Sequence, residues 1–199
     1  GNKTAADFAV DTANAYCEIL KQFASLGTEW VQIDEPCLVM DMTAEDKALF
    51  IQLYQKILSG KQNVKVLLQT YFGDIRDCYS EACALDFDGI GLDFTEGKKS
   101  LALVEKNGFP KEKALFAGVV NGKNIWKNHY ANTLRTIAAL QKCGCEIVLN
   151  TSCSLLHVPY TLKKETKLSD CYKKYFAYAE EKLAELAALK KILTASVPA

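Results

Sequence analysis

The feature that most constrains this chain is a fivefold alternation of short apolar runs with longer amphipathic ones. Apolar runs start near residues 30, 64, 89, 115 and 146, so the repeat is about 25 to 35 residues. Trp30–Ile33, Val64–Tyr71, Gly89–Asp93, Leu115–Val120 and Glu146–Asn150 read as strands. The segments between them carry helical spacing and stop signals: Gly60, Gly108 with Pro110, and Gly144. Thr43-Ala44-Glu45-Asp46 resembles a capping box and opens a helix to about Leu58. Helices are also expected over Ile75–Leu85, Lys98–Lys106 and Asn128–Lys142. A first helix, Ala5–Leu26, shows a Phe8, Tyr16, Ile19, Phe23, Leu26 stripe. A last one, Asp170–Leu193, shows a Tyr172, Phe176, Ala179, Leu183, Leu186 stripe.

One helix followed by five strand–helix units calls for a parallel sheet covered by helices. No low-complexity linker divides the chain, so residues 1–199 are expected to form a single domain. Two architectures share the pattern. One is a doubly wound sheet; the other is part of an eightfold β/α barrel, which typically needs about 250 residues. No glycine-rich phosphate loop follows the first strand. The pattern alone leaves both open.

Composition narrows the function classes. Lys plus Arg and Asp plus Glu are both 24, a net charge of zero, so there is no electrostatic footprint for nucleic acid or an acidic membrane. No apolar run approaches the ~20 residues of a membrane span. The eight cysteines lie mostly inside apolar segments and read as reduced, buried thiols, which suits a cytoplasmic protein better than a disulfide framework. Cys143-Gly144-Cys145 precedes the fifth strand and Cys153 follows it, too far apart for one metal ion to use all three. The start, Gly1-Asn2-Lys3, reads as a cut or processed end.

In either architecture a site forms at the carboxyl ends of the strands. Those ends carry Gln32, Asp34 and Glu35; Gln69 and Tyr71; Asp93; Asn121; and Asn150, Ser152 and Cys153. Amides, carboxylates and a thiol converging from five strands suit a lined pocket. Each also has a plainer role. Pro36 can fix the turn after Asp34-Glu35, and Asp93 can cap the next helix. Cys153 and His157 are a nucleophile and a base by type, but four residues apart outside a helix they need not touch.

Four segments resemble signatures of one family, in one order: Trp30-Val31-Gln32-Ile33-Asp34-Glu35-Pro36; Gln69-Thr70-Tyr71-Phe72-Gly73-Asp74; Gly118-Val119-Val120-Asn121-Gly122-Lys123-Asn124-Ile125-Trp126; and Ser152-Cys153-Ser154-Leu155-Leu156-His157-Val158-Pro159. The chain is similar to the later part of the amino-terminal domain of cobalamin-independent methionine synthases. The resemblance implies an α/β fold: a partial TIM-type (β/α) barrel of about five βα units preceded by a helix. It implies a methyltransferase that moves the methyl group of 5-methyltetrahydropteroyl-oligoglutamate to L-homocysteine. Zinc would sit in a separate carboxy-terminal barrel, on His, Cys, Glu and Cys. By strand matching those ligands fall near Gln69, Tyr71, Asp93 and Cys153, of which only the last remains a soft ligand. The expectation is therefore no metal and no catalytic residue in this piece. Its expected partners are the missing barrel segments and the carboxy-terminal catalytic domain, with folate and homocysteine in the whole enzyme. Five strands of eight leave two bare edges, so self-association through them is also expected. The alternative is a free-standing small-molecule binding module.

Overall fold

The structure is a computed structural model, and it describes residues 3–195; Gly1-Asn2 and the last four residues lie outside them. Five parallel strands form one sheet: β1 (Trp30–Asp34), β2 (Lys65–Gln69), β3 (Gly89–Asp93), β4 (Ala114–Val120) and β5 (Ile147–Thr151). Their spatial order is β1-β2-β3-β4-β5. Every crossover therefore steps the same way, and the right-handed rule puts every helix on one face. A doubly wound sheet reverses its strand order at a switch point, and this one does not.

The two faces differ by period 2. Val31, Ile33, Val66, Leu68, Ile90, Leu92, Leu115 and Ala117 point to the helices and form the core with Phe50, Tyr54, Ile57, Val104, Ile137 and Leu189. The opposite face carries Gln32 and Asp34 beside Leu67 and Gln69, then Gly89 and Gly91, then Phe116, Gly118 and Asn150. Trp30 of β1 meets Phe116 of β4 edge-on at 5.6 Å between ring centroids. Strands three steps apart in a flat sheet lie about 14 Å apart. The sheet is thus rolled, helices outside, as in a barrel left open between β1 and β5.

Seven α-helices are described: α1 (Ala9–Ser25), α2 (Ala44–Leu58), α3 (Tyr79–Ala84), α4 (Ser100–Asn107), α5 (Tyr130–Leu140), α6 (Asp170–Lys173) and α7 (Ala179–Ala195). The Thr43 hydroxyl accepts from the Asp46 amide while the Asp46 carboxylate accepts from the Thr43 amide, closing the expected capping box. The strands lie where the apolar runs put them, but two of the expected helices differ. α3 starts four residues late, because Asp74 accepts from Arg76 and the Lys99 amide and Asp77 accepts from the Met42 amide, which holds the segment before it as a turn. The expected last helix is broken. The Ala177 amide donates to the Ile125 carbonyl and the Lys127 amide to the Tyr175 carbonyl, so backbone pairing between loops replaces helix there.

The first expected apolar stripe faces outward, and the last is split: Tyr172 and Leu183 are exposed while Leu186 packs against the core. α1 packs on α2 through Ala9, Ala13, Cys17 and Leu20. Phe8, Tyr16, Ile19, Phe23 and Leu26 stay exposed, and Tyr16, Ile19 and Phe23 line a groove along the free β1 edge with Val31 and Ile33. On α7, Leu183 is 57% exposed while Leu189 is fully buried beside Lys182 and Glu185. A second groove follows the free β5 edge, lined by Ile147, Leu149, Leu186 and Leu193. No helix among the described residues is long and apolar enough to cross a membrane. All eight cysteines are free.

The two leucines of α7 separate these readings of its face. Leu189→Ala should cost about 2–5 kcal/mol in urea unfolding, and Leu183→Ala no more than about 0.5 kcal/mol. The reverse order would mean that α7 presents its other side to the sheet.

Candidate functional site

The inner face of the rolled sheet ends in polar side chains where the strands exit. Gln69, 1% exposed, crosses this face. Its amide donates to the Thr70 carbonyl at 2.9 Å, and its oxygen accepts from Asn150 on β5 at 3.1 Å. The crossing needs Gly91 on the strand between, because a Cβ there would collide with the Gln69 amide. Gly89 likewise lies under the Phe116 ring, where a Cβ would come within 2.9 Å. Above Gln69, the Gln32 amide donates to Asp34 at 2.7 Å and to the Tyr71 hydroxyl at 2.9 Å, and that hydroxyl donates to Asp34 at 3.1 Å. Burial, then the Asp34 charge, raises the Tyr71 phenol far above its ordinary range. Tyr71 is therefore a neutral donor.

Gln32, Asp34, Tyr71, Asn150 and Cys153 line one open cavity of about 290 Å³, together with Thr151 and Ser154. The roll of the sheet brings the ends of β1 and β5 together there. The remaining candidates sit elsewhere. Asp93 is buried in a turn, its Oδ1 accepting from the Thr95 amide, the Thr95 hydroxyl and the Glu96 amide. Burial raises its pKa, and the three donors offset only part of that. Asn121 accepts from the Lys123 and Asn124 amides and donates to Thr95 at 3.3 Å. Ser152 accepts from the Gly122 amide at 3.1 Å, tying the loop after β4 to the end of β5. Glu35 turns the other way, toward α2, and accepts from the Cys37 thiol at 3.0 Å.

Two chemistries open at the level of residue type find no support in this geometry. The Cys153 thiol donates to the Ser154 carbonyl, and burial holds its pKa up. The exposed His157 ring packs edge-on against Phe72 at 5.4 Å instead. A protonated thiol without a base is a poor nucleophile. Nor do Gln69, Tyr71, Asp93 and Cys153 suit zinc. The first two are neutral and already hydrogen-bonded, Gln69 to Asn150 and Tyr71 to Asp34, and the Asp93 Oδ1 already accepts three bonds. Among the described residues, no group of three or more His, Cys, Asp and Glu could hold a metal ion.

Phe72 and Lys123 join the rim without having been singled out as candidates. Phe72 has φ +68°, a left-handed conformation that is rare for a bulky side chain and costs about 1–3 kcal/mol. Its ring lies under the Lys123 ammonium at 5.5 Å, and Lys123 pairs with Glu96 at 2.6 Å. Both lie inside the quoted family segments. Nothing in propensity marks a phenylalanine as the left-handed residue.

Comparison with known proteins points the same way. The family model for the N-terminal domain of cobalamin-independent synthase matches residues 2–144. A 5-methyltetrahydropteroyltriglutamate–homocysteine methyltransferase of Lactococcus lactis is 57% identical over 176 residues, which are 88% of this chain and 23% of the relative. One of Campylobacter jejuni is 54% identical over 183 residues, 92% of this chain and 24% of the relative. The chain thus spans about a quarter of the length of these curated relatives. A B12-independent methionine synthase of a Shewanella species, solved in complex with selenomethionine, matches with a TM-score of 0.66 over 97% of this chain and 56% of that one. At 16% identity that is a likeness of fold.

Two substitutions test the cross-sheet link. Gly91→Ala should destabilise the chain by about 1–3 kcal/mol, and Gln69→Ala added to it should restore part of that loss, read by urea unfolding. Strict additivity of the two changes would mean that Gln69 does not cross Gly91. For Asp93 the sign is set by a folded-state pKa above its ordinary 3.8. The native state then binds the proton more tightly, so the stability it contributes is present below pH 3.8 and is lost as pH rises through the folded value. Asp93→Asn should flatten that fall relative to the parent; an unchanged or steeper profile would refute the assignment.

Proposed function

The chain belongs to the cobalamin-independent synthase family, as part of its N-terminal domain, and from that premise we propose that it forms one wall of a cleft in a zinc-dependent methyltransferase. The whole enzyme would move a methyl group from 5-methyltetrahydropteroyl-oligoglutamate to L-homocysteine in methionine biosynthesis, in the cytoplasm. Residues 1–199 act in it as a single unit, a piece of the amino-terminal barrel. The observation that carries this reading is the polar rim: the ends of β1, β2 and β5 meet around one cavity in hydrogen-bonded side chains, and its thiol has no base beside it.

The division of labour comes from the residues. In the whole enzyme the thiolate of homocysteine would be supplied by zinc held in the separate catalytic domain. Here Gln32, Asp34, Tyr71 and Asn150 present oriented donors and acceptors to whatever faces them, and Gln69 fixes Asn150 from below. Asp93, Asn121 and Ser152 position the loops that carry the rim. The grooves along β1 and β5 are the surfaces that the missing barrel segments would cover, and two copies of the chain would associate through them.

The experiment is reconstitution. The isolated chain should show no methyl transfer to homocysteine, with or without added zinc. Turnover should appear when the missing segments are supplied in cis or as separate polypeptides. Turnover by the chain alone would overturn the reading, and so would failure of a folded, reassembled enzyme to transfer methyl groups. Native mass spectrometry of the chain by itself should show dimers, which Ile19→Glu with Phe23→Glu should dissociate.

A further inference from the structure

A second cavity lies on the helical side of the sheet, with a volume of about 420 Å³, within the range of small-molecule sites. It sits where α1, α2 and the turn after β1 meet. Leu38, Phe50 and Ile57, all buried, are among its apolar walls, and Met40, which also lines it, is exposed. The two helices that enclose it pack directly on each other, and Gly60 admits Cys17 at the far end of that contact. Tyr16 lines this cavity as well as the groove along β1.

Its charge is one-sided. Glu35, Asp41 and Asp46 line it, and no Lys, Arg or His does. Asp41 is paired with Arg76, and Asp46 is held by Thr43 in the capping box. Glu35 has no ion pair among the described residues. Its neighbours are neutral donors. The Cys37 thiol bonds to it at 3.0 Å, and burial followed by the Glu35 carboxylate pushes that thiol up to about 12. The Tyr54 hydroxyl, almost fully buried, is raised further still, again by burial first and Glu35 second. Glu35 is thus a half-buried carboxylate at the edge of an apolar chamber, held by neutral donors and without a counter-ion, which leaves its charge for a cation to meet.

The geometry points to a binding site for a small organic cation, an ammonium group on a hydrocarbon body, with Glu35 taking the charge and the Leu38, Phe50 and Ile57 wall taking the body. An anion would meet three carboxylates and no partner. The cavity lies outside the rolled sheet, whereas the rim lies at the strand ends. This inference therefore stands apart from the methyl-transfer reading.

Three ligands of one shape test it on the 199-residue chain by calorimetric and NMR titration at neutral pH: 2-phenylethylammonium, 2-phenylethanol and 3-phenylpropanoate. The ammonium should bind saturably and about tenfold tighter than the alcohol, and the carboxylate should not saturate. Glu35→Gln should abolish the preference for the ammonium over the alcohol. Leu49→Trp, which fills the cavity, should remove binding of both with the circular dichroism unchanged. If that variant unfolds, the Glu35→Gln comparison decides by itself. Absence of saturable ammonium binding, equal affinity for the three ligands, or a cation preference that survives Glu35→Gln would overturn the proposal.

Discussion

The rolling of the sheet is the constraint on which the rest of the molecule depends. A parallel sheet with helices on one face alone has nothing to bury its other face against except itself. Here it curls until Trp30 reaches Phe116 and Gln69 reaches Asn150, each pair three strands apart in the order of the sheet. The curl requires side chains to be missing from the strand between. Gly89 and Gly91 supply that space on β3, one under an aromatic ring and the other under an amide. The glycines of β3 therefore act on the site without touching a ligand. They let the first and last strands of the sheet close around one cavity.

The strands were legible in the sequence because both of their faces are specified locally. Continuous apolar residues mark Val66-Leu67-Leu68 as a strand buried on both sides, and polar residues at each strand end mark where the chain leaves the sheet. The helical stripes misled for a physical reason. A stripe reports which face of a helix avoids water, not whether this chain contains its cover. On α1 the large apolar residues face the open edge of β1, and contact with α2 falls to Ala9, Ala13 and Cys17, residues small enough to let two helices approach. On α7 the buried face includes Lys182 and Glu185, which no apolar periodicity would select.

The site was legible as a list of residue types but not as an arrangement. Gln32, Asp34, Tyr71, Asn150 and Cys153 meet because the sheet rolls, and the roll depends on packing across strands that are distant in sequence. Glu35 is next to Asp34 and faces the opposite side, as alternation along an extended chain requires. Its neighbours are then Cys37 and Tyr54, not the rim. Phe72 had no local signal because its backbone conformation is unfavourable in isolation. Its ring sits between Lys123 and His157, which come from two later loops.

The start of α7 and the segment before it are fastened to the loop after β4 at several points. Lys182 donates to the Trp126 carbonyl, Glu185 accepts from the Asn128 amide, and the backbone of residues 175–177 pairs with that of residues 125–127. The same loop begins at Asn121, and its Gly122 amide donates to Ser152, next to the Cys153 that lines the strand-end cavity. The start of α7 and one wall of that cavity are thus joined through a single loop. Whatever displaces the start of α7 must therefore carry this loop with it or break the single antiparallel bridge between Trp126 and Phe176.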